Sequence, residues 1–448
     1  MKPTLDLVLK GATVVTCDAS DRVLVGDVLV RGDKIVEVGD VKASPGARTV
    51  DAKGCIVMPG FVQAHVHLCQ TLFRGLAEDL PLMEWLSMHI WPYEGAHTAE
   101  TLHASAALGI AELLLGGTTA ALDMGTVKHT DVIFQTAERA GLRLTSGKAL
   151  MDKGQQRPGN LKESTDEALQ QSDDLAARWH MKAEGRLRYA YAPRFILSCT
   201  DTALRESAAL ARKRACLIHT HASENPGELD AVRAATGKDN VTALADLGIA
   251  GPDVVLAHCV WLTSDEQRSL RENQTRIAHC PSTNLKLASG VAKIPELREQ
   301  GIVVGIGADG APCNNRMSAF TEMRLAALLQ KPRLGAAALS AKDVVKMATL
   351  GGAEVLGIDA QVGSIEPGKR ADLIVVDASA PHMRPRTDPF TQLVYAAEAS
   401  DVRHVFVDGE WLVRDHRLVR SEVEEIVEDA EKAVDEVLLR AGGSRRFA

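Results

Sequence analysis

His65-Val66-His67 follows the apolar run Cys55–Val62. On an extended segment, side chains two residues apart point to the same side, so both imidazoles can grip one divalent cation. Three further apolar runs end in residues of the same chemistry. Leu217-Ile218 leads into His219-Thr220-His221, Val254–Ala257 ends at His258, and Ile302–Ala308 ends at Asp309. His221 stands last on its run and is the better ligand candidate, while His219 reads as a packed or supporting histidine. An unpaired carboxylate following eight apolar or glycine residues would be costly to bury, and coordination of a cation offsets that cost for Asp309. The expected metal ligands are therefore His65, His67, His221 and Asp309. A divalent ion on three imidazoles and one carboxylate retains room for water and lowers its pKa toward ~7.

Glu224, just past His221, is placed to move a proton between that water and a leaving group, against the alternative of a carboxylate favoured by a helix N-terminus. His258 is expected to polarise or shuttle protons, with core packing as the competing reading. His279 is expected to be structural. Lys148 is read as an ordinary lysine, because the run Leu187–Pro193 has no lysine to bridge a second metal. One metal ion is expected. The chain has no His-Glu-x-x-His, no phosphate-cradling glycine loop, no Gly-x-Ser-x-Gly, and no Pro-Cys-x-x-Cys, since Pro312-Cys313 is followed by Asn314-Asn315-Arg316.

Those residues need a scaffold that gathers strand ends. Between residues 59 and 361 the pattern alternates strand and helix. Eight candidate strands are Phe61–His65, Thr118–Asp123, Leu142–Leu150, Leu187–Pro193, Ala215–His221, Asp253–His258, Thr275–His279 and Ile302–Asp309. Helical stretches such as Thr98–Leu115, Thr202–Arg214 and Ala319–Gln330 separate them. The expected fold is α/β, a (β/α)8 barrel whose active site lies at the carboxyl ends of the strands, although periodicity alone leaves a doubly wound sheet open. Residues 1–58 and 362–448 read as β-rich and are expected to form one small β-sandwich domain, with an Asp408-Gly409 hairpin turn and a terminal helix over Glu422–Leu439.

Bulk composition fits a soluble enzyme. The 448 residues carry a net charge of -8, which argues against an obligate nucleic-acid partner. The longest apolar stretch, near 106–122, contains Glu112 and a Gly116-Gly117 break, and the residues from Met1 to Asp6 lack a signal peptide's apolar segment. Eight scattered cysteines without Cys-x-x-Cys suggest reduced thiols. The expectation is a cytoplasmic protein with no membrane partner.

The stretches Pro59–His67, His219–Asn225, Leu256–His258, Gly307–Ala311 and Gly363–Asp372 together resemble the amidohydrolase superfamily. The resemblance implies a barrel with one divalent ion, Zn2+ or Fe2+, and proton handling by Glu224, His258 and Asp309. Within that superfamily, Leu80–Leu86, Leu68–Gly75 and Asp309–Asn315 are similar to the aminohydrolases that deaminate adenine nucleosides such as 5'-deoxyadenosine, methylthioadenosine and S-adenosylhomocysteine. This likeness implies that Glu84 holds ribose hydroxyls. Gln70, Pro193-Arg194-Phe195 and Ser223-Glu224-Asn225 also resemble guanine deaminase, in which the matching glutamine and arginine read the base, and triazine hydrolases share the scaffold. Trp85 and Trp91 are expected as pocket or lid aromatics, with plain packing equally open. The expected partners are a small purine-type substrate and further copies of the chain in a homo-oligomer. A catalytically silent scaffold barrel is the rival reading, and the complete ligand set argues against it.

Overall fold

A computed structural model describes residues 6–154 and 158–445. The amino-terminal reading about a signal peptide rests on residues that lie largely outside this range. Among the described residues, no helix is long and apolar enough to cross a membrane.

The eight expected strands form one parallel sheet. They span Phe61–His67, Thr118–Met124, Arg143–Gly147, Leu187–Pro193, Leu217–Ala222, Val254–His258, Arg276–His279 and Val304–Ile306, each hydrogen-bonded to the next. The sheet closes on itself through Asp309–Gly310, which pairs in parallel with the first strand, Asp309 opposite Val66 and Gly310 opposite His67. Closure needs a very close approach. A Cβ on Gly307 would meet the His65 carbonyl oxygen at 2.6 Å, and one on Gly147 would meet that of Ala190 at 1.7 Å. Only glycine permits the strands to lie flush there.

The expected boundaries differ at two strands. The third breaks at Lys148, whose backbone N–H donates to the Tyr189 hydroxyl at 3.1 Å, and resumes as Ala149–Leu150. The eighth breaks at Gly307-Ala308, because Asp309 takes a left-handed φ of 61° that no regular strand accommodates. The helices Ala99–Leu115, Asp201–Lys213 and Ala319–Leu334 start behind Thr98, Thr200 and Ser318, each of whose hydroxyls accepts a backbone N–H of the first turn.

Strands from both chain ends build a second, nine-stranded sheet. Leu7–Val15 runs antiparallel to Val23–Arg31 and parallel to Arg48–Asp51 and Cys55–Pro59, and Leu373–Asp377 joins Cys55–Pro59 to Val402–Val407. The hairpin between Val402–Val407 and Glu410–Arg414 turns through Asp408 and Gly409, both at positive φ, as an Asp-Gly turn requires. The terminal helix, Val423–Arg440, packs on Ala99–Leu115.

The two sheets are joined by charge as well as by chain. Arg143, at the start of the third barrel strand, forks onto Asp372 with bonds of 2.8 and 3.0 Å and also reaches Asp408 at 2.5 Å. Arg143 and Asp372 are buried, so the pair has no solvent to replace a lost partner. Asp372→Ala is expected to lower the unfolding free energy by about 3–5 kcal/mol in urea melts, and the double replacement Arg143→Met/Asp372→Leu by clearly less, because it leaves no uncompensated charge.

Candidate active site

The carboxyl ends of the barrel strands bring His65, His67, His221 and Asp309 together. His67 Nδ1 donates to the Met124 carbonyl at 2.9 Å, and His221 Nδ1 to the Arg194 carbonyl at 2.6 Å. Carbonyls only accept, so each neutral ring keeps a bare lone pair on Nε2. Those two Nε2 atoms face each other at 3.3 Å. Asp309 Oδ1 lies 3.3 Å from His65 Nε2 and 3.4 Å from His67 Nε2. Lone pairs and a carboxylate crowded in this way repel unless a cation sits among them. A tetrahedral ion with bonds of about 2.0–2.1 Å separates its ligand atoms by roughly 3.3 Å, so these atoms could hold one divalent cation. Burial first, then the neighbouring His65, pushes His67 down to about 4 and His221 well below the ordinary imidazole range, keeping both rings neutral and able to ligate. Burial pushes Asp309 up, but the charge and hydrogen bond of His65 outweigh it and hold this carboxyl well below its usual range.

Glu224 and His258 complete the cluster. His258 Nε2 is 3.5 Å from Glu224 Oε2 and 3.9 Å from Asp309 Oδ2, and its Nδ1 lies 3.0 Å from Asn284 Oδ1. With Nδ1 donating to Asn284, His258 presents an accepting nitrogen between the two carboxylates. Glu224 is buried and its Oε1 has no partner. Burial foremost, then the charges of Asp309 and Glu228, holds its carboxyl well above the usual range. A cation beside Asp309 weakens the second cause and leaves the first. Strain concentrates here, as it does where a fold fixes groups for chemistry: Ser223, His258 and Asp309 have φ of 54°, 74° and 61°.

These side chains open into a cavity with about 450 Å³ of empty space, also walled by Gln70, Arg194 and Trp85. Gln70 Nε2 donates to Glu94 at 2.8 Å, leaving its buried Oε1 without a partner. Arg194 does not reach freely into the cavity. Its guanidinium forks onto buried Glu94, at 2.5 and 3.2 Å. Trp85 presents a buried, unpartnered Nε1. Trp91 is packed among Leu86, Ile90 and their neighbours and does not line the cavity.

Of the expected substrate contacts, Glu84 alone is kept out of the cavity; the expected ligand His65 is fully buried and does not line it either. Glu84 is exposed, while Leu82, Trp85 and Leu86 of the same segment line the wall. Residues three and four apart share one helical face, and Glu84 falls off that face. His219 stands behind His65, with His219 Nε2 2.8 Å from His65 Nδ1. Lys148 is buried, ion-paired with Glu163 and does not line the cavity. His279 is buried with neither ring nitrogen partnered.

Four supporting residues escaped the sequence reading. Asp123 accepts the Leu68 backbone N–H at 2.8 Å and the Ser146 hydroxyl at 2.5 Å, fixing the turn after His67. Glu94 anchors Gln70 and Arg194, Glu228 accepts the Glu224 backbone N–H at 2.8 Å, and Asn284 orients His258. Asp123 carried a signal, a lone acid inside the apolar strand Thr118–Met124. Glu94 and Glu228 sit on helices whose sequence gives no sign of burial. Cys280 also lies near His65 and Asp309, but burial and the adjacent Asp309 keep its thiol protonated.

Known proteins share this sequence and fold. Residues 56–412 match the family model described as the amidohydrolase family. The 5'-deoxyadenosine deaminase of Methanosarcina mazei is 38% identical over 439 residues, covering 97% of this chain and 99% of that protein. The 5-methylthioadenosine/S-adenosylhomocysteine deaminase of Halobacterium salinarum is 40% identical over 420 residues, covering 93% and 95%. A crystal structure of an adenosine deaminase from Xanthomonas campestris with bound zinc superposes with a TM-score of 0.91 at 32% identity, covering 97% of this chain and 98% of that one. Barrel, strand-end cluster and relatedness along almost the whole length agree: the chain belongs to the amidohydrolase family.

Proposed function

We propose that this protein is a metal-dependent hydrolase that removes the exocyclic amino group of an adenine nucleoside as ammonia, with 5'-deoxyadenosine and 5'-methylthioadenosine as the leading substrates. The observation that carries the reading is the buried Glu224 carboxyl, with Oε1 unpartnered and Oε2 beside His258, lining the cavity together with Asp309. The names of the relatives support the substrate class, and the zinc bound to the Xanthomonas campestris deaminase supports zinc as the ion.

In this reading His65, His67, His221 and Asp309 hold a single ion. A divalent cation there supplies Lewis acidity and an acidified water close to the ring. Glu224, kept protonated by its burial, hands a proton to the ring nitrogen next to the amino-bearing carbon, which lowers the cost of adding water at that carbon. His258 Nε2 and Asp309 Oδ2 accept the proton of the attacking water, and Asn284 holds the imidazole in the accepting tautomer. That proton passes to the amino group, which leaves as ammonia, and the hydroxyl on the ring carbon returns its proton to Glu224 as the carbonyl forms. Trp85 and the Gln70 carbonyl oxygen supply a donor and an acceptor for the substrate, while Arg194 contributes a fixed positive charge already matched by Glu94. The reading assigns no ribose contact to Glu84.

An ammonia-release screen over adenine nucleosides, guanine, pterins and triazines tests the function. Turnover of 5'-deoxyadenosine or 5'-methylthioadenosine above all others is the expected result, and release from guanine or a triazine alone would sink the reading. Elemental analysis of the purified chain should give about one divalent ion per chain, largely lost in His67→Ala. Glu224→Gln keeps the shape of the side chain but removes its acid, so turnover should fall by ~10²-fold or more while metal content stays unchanged. Near-normal turnover with full metal content would reduce Glu224 to a structural role.

A further inference from the structure

Glu322, on the helix Ala319–Leu334, is fully buried and does not line the catalytic cavity. Three donors converge on its carboxylate. Oε2 accepts the Ser282 backbone N–H at 3.0 Å, and Oε1 accepts the Ser282 hydroxyl and, at 2.9 Å, the Asn314 side-chain amide. These donors come from two segments that follow adjacent barrel strands, Arg276–His279 and Val304–Ile306. One segment carries the residue that orients His258, and the other carries Asp309.

Ser282 lies in the short helix Pro281–Lys286, whose Asn284 Oδ1 is 3.0 Å from His258 Nδ1. Asn314 closes the turn that leaves Asp309–Gly310. Its Nδ2 donates one proton to Glu322 and the other to the Ala308 carbonyl, at 2.6 Å. That carbonyl belongs to the peptide that enters Asp309, whose left-handed φ of 61° persists only where its surroundings hold it. An ionised carboxylate accepts on both oxygens at once, whereas an amide of the same shape would turn an NH2 group on one set of donors. Burial pushes the Glu322 carboxyl up to about 7; the bonds from Ser282 and Asn314 oppose that rise, and the charge of Asp309 adds to it. A charge buried at that cost contributes little to stability, so its use lies in what it holds in place.

We propose that Glu322 is a positioning residue that sets the place of Asp309, through Asn314, and of His258, through Ser282 and Asn284. One buried carboxylate thereby fixes the spacing of the two groups that accept the proton of the attacking water. Glu322 acts only through these neighbours. The Asp309 half concerns the geometry of the metal ligands and stands without any substrate, whereas the His258 half rests on the function proposed above.

Zinc affinity of the full chain, measured by competition with a chelator and with no substrate present, tests the Asp309 half. Glu322→Gln and Asn314→Ala should each weaken it at least about tenfold, as loss of a group that orients a metal ligand does. The double variant should lose no more than Glu322→Gln alone, because both changes cut the same chain of bonds. At saturating zinc, kcat of Glu322→Gln should fall at least about tenfold while KM stays within about twofold, since the cavity wall is untouched. Melting temperatures of the same samples show which variants are folded at the assay temperature, and Asn314→Ala, at a half-buried position, serves if Glu322→Gln is not. A lowered melting temperature with zinc affinity and kcat unchanged would reduce Glu322 to packing and overturn the proposal. Losses that add in the double variant would overturn it as well, since the two residues would then act separately. A wild-type chain that turns over no adenine nucleoside would defeat the functional reading, and the zinc measurement would still decide this one.

Discussion

The pairing of Asp309–Gly310 with Val66–His67 is the contact on which the site depends. It closes the barrel, and in the same step it sets a buried carboxylate against two imidazoles on the neighbouring strand. A barrel that failed to close there would leave Asp309 and the His65-Val66-His67 pair on separate edges of an open sheet. The cost of closure appears in the backbone: a glycine pressed against His65, and a left-handed aspartate where the strand should continue. Both features favour a single arrangement of the cluster over a floppy one.

Around that contact, the histidines are aimed by acceptors that no catalytic pattern includes. The Met124 and Arg194 carbonyls hold His67 and His221, and the Asn284 side chain holds His258. Two of these acceptors come from the backbones of adjacent barrel strands or their ends, so the ring tautomers follow from the fold itself. Backbone carbonyls cannot donate, which leaves the inward nitrogens bare and ready to ligate. The lone pairs and the carboxylate are therefore high in energy as a group, and they define where positive charge must go.

The cavity wall follows a different logic. Glu94 and Arg194 form a buried, bidentate ion pair, and Gln70 is tied to the same carboxylate. Such a pair contributes little net stability, because desolvation offsets much of the attraction. What it provides is position: a guanidinium that cannot swing into the cavity, and an amide whose unsatisfied oxygen is aimed by its own nitrogen.

Sequence alone determined the alternation of strands and helices and the chemistry-bearing strand ends, while the closure that makes the sheet a barrel was settled by the Asp309–Gly310 pairing. Apolar runs that end in His67, His221, His258 and Asp309 are written locally, because burial and period-two alternation are properties of neighbouring residues. A β-rich unit built from both chain ends was legible for the same reason, as were helices beginning near Thr98, Thr202 and Ala319, whereas the capping roles of Thr200 and Ser318 and the nine-strand count came from the fold. Everything that depends on which strand lies beside which was decided only in three dimensions. The Glu163 partner that lets Lys148 be buried is not legible from its neighbours in sequence, and Glu94 and Glu228 gave no sign of burial. Glu84 shows the limit most plainly. Its motif suggested a ligand contact, but the orientation of a short helical segment is set by packing of Leu82, Trp85 and Leu86 against the cavity, and that packing turns the carboxylate outward. Motif spacing fixes which residues share a face, and tertiary packing chooses which way that face looks.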